Sequence, residues 1–274
     1  MNTEKIWLVT DASAGLGLVL VKMLLDMGHK VAATSPDGDA LLDAVGAKLE
    51  GQFLPLTVDL ADERSVQRAV DATAAAFGGL DVVVNNAGHG LRGALDSLPD
   101  EDLRGTFDIN VFATLNVIRA ALPRMRAQRS GHVFNISSIL GFDGGRADWG
   151  AYSAAKFAVS GLTEALAAEA APFGIRVSLV YPGALRAPRR ADGEQAPELA
   201  SRNAQARDAD GDPAKMARAL INAAQAQYAP LHLFLGRDAF DQARAKIQSV
   251  QQELARWREM SVSIGFVDER RLAA

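Results

Sequence analysis

Short apolar runs alternate along this chain with longer stretches in which apolar residues recur every third or fourth position. Seven of the runs read as buried strands, at 6–10, 31–34, 53–58, 80–84, 132–136, 175–180 and 231–235. Between them the spacing predicts helices at about 15–27, 39–49, 62–76, 100–128 and 150–172. The strand runs show little polar alternation and are separated by helices. That pattern implies an α/β protein with a parallel sheet covered on both faces. Asp62 followed by Glu63 marks a helix start, and Gly28 and Gly174 mark helix stops. One stretch, 184–212, is rich in Ala, Arg, Asp, Gly and Pro and loses the periodicity, which suggests a lid over a site or a solvated insertion. Residues 238–260 predict a last amphipathic helix with Phe240, Ala243, Ile247, Val250, Leu254 and Trp257 on one stripe. There is no internal repeat and no linker, so residues 1–274 are read as one domain.

Composition narrows the function classes. With 49% apolar residues the chain can bury a sizeable core, and a net charge of −4 gives no reason to expect nucleic acid or an anionic membrane as partner. There are no cysteines, which excludes disulfides, thiolate metal sites and cysteine nucleophiles. His29, His89, His132 and His232 are scattered without ligand spacing, so no metal site is expected. The N-terminus carries only a short apolar run, neither a signal peptide nor a membrane span, and a cytoplasmic location is the expectation.

Three constellations carry chemistry. Thr10-Asp11-Ala12-Ser13-Ala14-Gly15-Leu16-Gly17 follows the first strand and opens the first helix, where small residues let backbone N–H groups approach a pyrophosphate. Asn85-Asn86-Ala87-Gly88 ends the fourth strand, at the carboxyl edge where ligands bind in open α/β sheets. Ser137-Ser138 ends the fifth strand, and Tyr152 and Lys156 follow it four residues apart on one helix face. A phenol titrates near pH ~10, a poor acid or base at neutrality. An ammonium at ~4 Å with an effective dielectric of ~20 could favour the phenolate by up to ~4 kcal/mol, about three pKa units.

In that order these motifs resemble the short-chain dehydrogenase/reductase family over about residues 5–190. The resemblance implies a Rossmann-type, doubly wound seven-stranded parallel sheet. It assigns catalysis to Asn110, Ser138, Tyr152 and Lys156. To the cofactor it assigns the turn with Asp11, Ser13, Gly15, Leu16 and Gly17, then Ser35, Asp59, Leu60, Asn86, Ala87, Gly88, Pro182 and Gly183, with Tyr152 and Lys156 reaching it as well. Within the family the stretches 129–133 and 171–177 are similar to bacterial hydroxysteroid dehydrogenases. The implied reaction is reversible hydride transfer between NAD or NADP and a secondary alcohol or ketone. The implied assembly is a homodimer or homotetramer pairing the helices at 100–128 and 150–172, whose Leu115, Val117, Ile118, Leu122, Val159, Leu162 and Leu166 occupy more than one face.

The chain departs from the family pattern in four places. Asp11 stands where the first glycine is usual, and Asp tolerates the left-handed conformation. Ser35, Pro36 and Asp37 replace the acid or arginine that reads the adenosine 2′ position. Ala187 replaces a threonine, and the gap from Ser138 to Tyr152 is one residue longer than is common. No lysine or arginine lies in residues 11–17 or 34–38, which favours NAD. Arg146, Trp149, His89, Arg186, Arg189 and Arg190 are candidates for the border of a substrate pocket. Two other readings stay open: non-redox acid/base chemistry on the same scaffold, and a dinucleotide-sensing protein without turnover.

Overall fold

A computed structural model describes residues 4–46, 51–185 and 211–264. The first half alternates strictly: β1 (Ile6–Val9), α1 (Gly15–Asp26), β2 (Lys30–Ser35), α2 (Gly38–Val45), β3 (Phe53–Thr57), α3 (Glu63–Phe77) and β4 (Val82–Asn85). Then follow α4 (Asp100–Phe107), a π-helical turn (Asp108–Phe112), α5 (Ala113–Gln128), β5 (Gly131–Ile136), a 3₁₀ turn (Ile139–Gly141) and α6 (Gly150–Ala170). The chain closes with β6 (Ile175–Pro182), α7 (Pro213–Gln225), β7 (His232–Leu235), α8 (Arg237–Arg256) and the short α9 (Arg258–Val262).

The strands form one seven-stranded parallel sheet in the order β3-β2-β1-β4-β5-β6-β7. Each strand points its side chains alternately to two apolar layers. Trp7, Val9, Val31 and Val84 meet α1 and α7 on one face, through Leu20, Val21, Leu24, Leu220 and Ile221. Leu8, Ala32, Val83 and Val133 meet α3, α5 and α6 on the other, through Val66, Val70, Val117, Met125 and Leu166. The strand order reverses between β1 and β4. Connections leave there to opposite sides and open a crevice at the carboxyl edge.

Local chemistry sets the boundaries. Asp37 and Asp62 cap α2 and α3 by accepting from backbone N–H groups, and Gly46 and Gly78 end them in the left-handed conformation. The predicted helix 39–49 therefore stops at Val45. The predicted helix 100–128 contains a π turn at Asp108–Phe112. The predicted last helix is broken at Trp257, whose φ of −102° and ψ of 12° leave the helical region. One helix, α7, was absent from the sequence reading. Asp212 caps it by accepting from Ala214 N at 2.8 Å, Pro213 opens it, and Met216, Leu220 and Ile221 bury its apolar face. Of the stretch read as a lid, residues 186–210 lie outside the described residues. Its two ends meet, since Leu185 bridges to Gly211 and Gly211 N donates to Ala184 O at 3.1 Å.

Five of the residues offered for an outer face of the long helices, Val117, Ile118, Leu122, Val159 and Leu166, are buried in the chain's own core. The exposed apolar side chains near that face are Phe112 and Phe157 instead. Among the described residues no helix is long and apolar enough to cross a membrane.

Candidate active site

The crevice begins at the turn between β1 and α1. Thr10 Oγ1 accepts from Asn86 N at 2.9 Å and from Ala87 N at 3.2 Å, which ties the end of β4 to this turn. The Asn86 amide donates to the carbonyls of Thr10 and Asp11 at 3.1 and 3.0 Å. Asn86 thus shapes the turn as well as lining the crevice. Asp11 holds φ +50°, the conformation its side-chain type was expected to tolerate, and Gly15 holds +58°. At Gly17 a Cβ would lie 2.9 Å from both Ala12 Cα and Asp11 O, so only glycine permits so close an approach. Ala14 has no side chain with which to cap α1, so the first-turn N–H groups remain for another acceptor.

From this turn the crevice extends in two directions, joined where Asp11, Gly88 and His89 line both. One arm is walled by Thr34, Ser35, Pro36, Thr57, Val58, Asp59, Leu60, Ala87 and Ile109. Asp37 is absent from that wall because its carboxylate caps α2, bonding to Asp39 N and Ala40 N at 3.0 Å each. The other arm is walled by Ile136, Ser137, Ser138, Trp149, Tyr152, Lys156, Pro182, Gly183 and Leu185. Of the cofactor candidates, only Ser13 and Gly17 stay off the walls.

Ser138, Tyr152 and Lys156 meet in this second arm because α6 is locked to the turn after β5. Ser137 Oγ donates to Lys156 O at 3.1 Å, and Ser160 Oγ donates to Gly141 O at 3.1 Å. A Cβ at Gly141 would meet Ser137 Oγ and sit 2.8 Å from Lys156 O. Ser138 accepts from Leu140 N at 3.2 Å, which orients its hydroxyl. That hydroxyl lies near enough to the phenol of Tyr152 to act on its ionisation. Trp149 meets the Tyr152 ring edge-on, with centroids 5.8 Å apart, and Arg146 lies over Trp149. Arg186, Arg189 and Arg190, offered with them, lie outside the described residues, as does Ala187.

The electrostatics differ from the simple pair expected. Burial pushes the Tyr152 phenol up to about 12, with the neighbouring Ser138 hydroxyl acting in the opposite direction. Burial pulls Lys156 down to about 8. The ammonium lies over the tyrosine ring, 5.7 Å from its centroid, and donates to Ile136 O at 3.0 Å. Desolvation dominates both groups, with the Lys156 ammonium hydrogen-bonded to a carbonyl and close to the tyrosine ring.

Asn110 sits in the π turn, fully buried. Its amide donates to Thr106 O at 2.9 Å and to His89 O at 3.2 Å. Its Oδ1 is buried with no hydrogen-bond partner among the described residues. A Cβ at Gly88 would stand 2.5 Å from this oxygen and 2.9 Å from Lys156 Nζ, so the two atoms flank the same point. π turns recur at functional sites because the extra residue re-aims one side chain.

One positioning residue escaped the sequence reading. Asp238, in the first turn of α8, accepts from Ala184 N at 2.8 Å and packs so closely on Gly183 that any side chain there would push its carboxylate aside. No motif announced it, since its partner lies more than fifty residues away.

The crevice fits a dinucleotide. It has a glycine turn at a helix N-terminus, an apolar slot beside it, and Ser138, Tyr152 and Lys156 at the far end. Among the described residues no group of acids or histidines could hold a metal ion.

Comparison with known proteins agrees with this geometry. The family model for short chain dehydrogenases matches residues 5–198. An oxidoreductase of Botryotinia fuckeliana is 32% identical over 272 residues, covering 94% of this chain and 98% of the relative. The crystal structure of a short-chain dehydrogenase from Streptomyces avermitilis superposes with a TM-score of 0.85 at 36% identity, over 97% of this chain and 100% of the other. A metagenomic short-chain oxidoreductase in complex with NADP superposes with a TM-score of 0.69 at 28% identity, over 84% and 96%. Motifs, crevice and relatives agree: the chain belongs to the short-chain dehydrogenase family, oxidoreductases that use a nicotinamide dinucleotide.

Proposed function

We propose that this protein catalyses reversible hydride transfer between a nicotinamide and a secondary alcohol or ketone, with Tyr152 as acid and base. One observation carries the reading: Ser138, Tyr152 and Lys156 line the same arm of a crevice that begins at the glycine turn. When bound, the dinucleotide supplies or accepts the hydride, and the protein supplies orientation and electrostatics. The turn from Asp11 to Gly17 would hold its diphosphate, the arm with Val58, Asp59 and Leu60 its adenosine, and Gly88, Pro182 and Gly183 its nicotinamide half.

The chain's own groups divide the work. Ser138 Oγ hydrogen-bonds the substrate oxygen. The Tyr152 phenol gives its proton to that oxygen in reduction and takes it back in oxidation. At about 12 the phenol is protonated at neutral pH but a weak acid, so its proton transfer depends on a nearby positive charge to stabilise the phenolate formed. Lys156 carries its charge below about pH 8 and stabilises the phenolate left after transfer. Asn110 Oδ1 would anchor a water beside Lys156. Tyr152→Phe keeps the ring and removes the proton. Turnover should fall by ~10²–10⁴-fold while dinucleotide affinity, read by fluorescence titration, stays within a few-fold. Retention of most of the activity would overturn the assignment.

Two finer readings belong here. The adenosine arm suits NAD better than NADP, because Asp11 and Asp59 are among its described lining and no lysine or arginine is. Copies of the chain pair through the face of α5 and α6, where Phe112, at the end of the π turn that leads into α5, and Phe157, on α6, are 51% and 45% exposed.

A further inference from the structure

The last long helix leaves the body. Over its first turns Ala239 and Ala243 pack with Ile139, Phe142 and Phe234, and Lys246 Nζ lies 3.9 Å from Asp143. From Ile247 to Ile264 every residue is exposed. The part of α8 beyond Lys246 alone extends about 15 Å at 1.5 Å per residue. A helix of this length without a packing partner is marginal in water.

Its sequence is not that of a solvated arm. Phe240, Ile247, Val250, Leu254 and Trp257 are exposed by 53, 45, 41, 63 and 54%. With Ala243 they fall at alternating steps of three and four, the spacing of a heptad seam. The polar positions carry nearly balanced charge, Arg237, Arg244, Lys246, Arg256 and Arg258 against Asp238, Asp241, Glu253 and Glu259. That balance suits a protein surface and gives little attraction to an anionic bilayer.

We propose that this arm pairs with the same arm of a second copy, antiparallel across a two-fold axis. In that register Ile247 of each copy opposes Val250 of the other, Leu254 enters between Phe240 and Ile247, and Trp257 reaches Phe240. Lys246 on the seam's flank then faces Glu253 of the other arm, twice by symmetry. A parallel pair would set Lys246 beside Gln251 and lose both attractions.

Light scattering after size exclusion on the full chain at micromolar concentration tests this. Leu254→Asp should halve the mass while circular dichroism and turnover remain those of the wild type, since Leu254 is remote from the crevice. Lys246→Glu and Glu253→Lys should each weaken association roughly tenfold, two exposed pairs being turned into like charges. The double variant Lys246→Glu/Glu253→Lys should restore the wild-type mass. A monomeric wild-type chain, or a mass unmoved by Leu254→Asp, overturns the pairing. Failure of the double variant to restore it overturns the antiparallel register. Co-sedimentation with phosphatidylserine vesicles that Leu254→Asp abolishes without changing the mass would assign the stripe to lipid and overturn the proposal as well.

Discussion

Asp11 holds a backbone conformation that glycine would hold at lower cost, at φ +50° four residues before Gly15. Its place on both arms of the crevice explains why a carboxylate is useful there. It can accept hydrogen bonds from ribose hydroxyls, and it repels a 2′-phosphate by ~1–2 kcal/mol at ~8 Å with an effective dielectric of ~20–40. NADH should therefore exceed NADPH in kcat/KM by roughly tenfold, and Asp11→Gly should narrow the ratio. An unchanged ratio would reduce Asp11 to a turn residue. Lys156 gives a second prediction. Its pKa is lowered to about 8, so its charge is present below that pH and lost above it. If the charge stabilises the phenolate, kcat/KM for ketone reduction is level below about pH 8 and falls above it, with the falling limb moved upward in Lys156→Arg. A profile level to pH 10 would remove Lys156 from that role. Residue types at fixed spacing made Ser138, Tyr152 and Lys156 readable from the sequence. Their pKa values were not, because desolvation depends on what the whole fold stacks around them.

At the level of elements, the strand-to-helix turn after β1 can be tested through Gly17. Gly17→Ala presses a methyl group against backbone atoms of Asp11 and Ala12, which cannot move aside as a side-chain tip can. Stability should fall by ~1–3 kcal/mol in urea titration, with loss of dinucleotide affinity. Asp238→Ala removes the acceptor of Ala184 N and loosens the join between β6 and α8. The expected cost is ~1–2 kcal/mol, with a rise in KM for the dinucleotide and little change in kcat. A kcat loss equal to the KM rise would instead place Asp238 among the residues acting on the reaction. The strands and most helices were legible because parallel strands buried on both faces are near-continuous apolar runs. The π turn was invisible, since one extra residue in a helix leaves the apolar spacing almost unchanged. The start of α7 is hidden by the stretch without periodicity that precedes it, although Asp212-Pro213 and the spacing of Met216, Leu220 and Ile221 carry a helix signal.

For the whole molecule, the two apolar surfaces predict a stepwise assembly. If both the α5/α6 face and the α8 arm join copies, the wild-type chain is a homotetramer, and Phe157→Asp and Leu254→Asp each leave a dimer. A dimer unaffected by Phe157→Asp would leave the arm as the contact. By itself the sequence determined the α/β class, the parallel sheet and the order of the motifs, because each is written in local spacing. It also marked the stripe on the last helix. Only the tertiary structure decided which apolar residues were surplus to the core. Val117, Ile118 and Leu166 were absorbed by the sheet, while Phe112, Phe157 and the stripe beyond Ile247 were left outside. It alone joined Asp238 to Ala184 across the crevice rim, and set Asn110 Oδ1 and Lys156 Nζ on either side of Gly88. These are contacts between residues far apart in the chain, and local spacing carries no information about them.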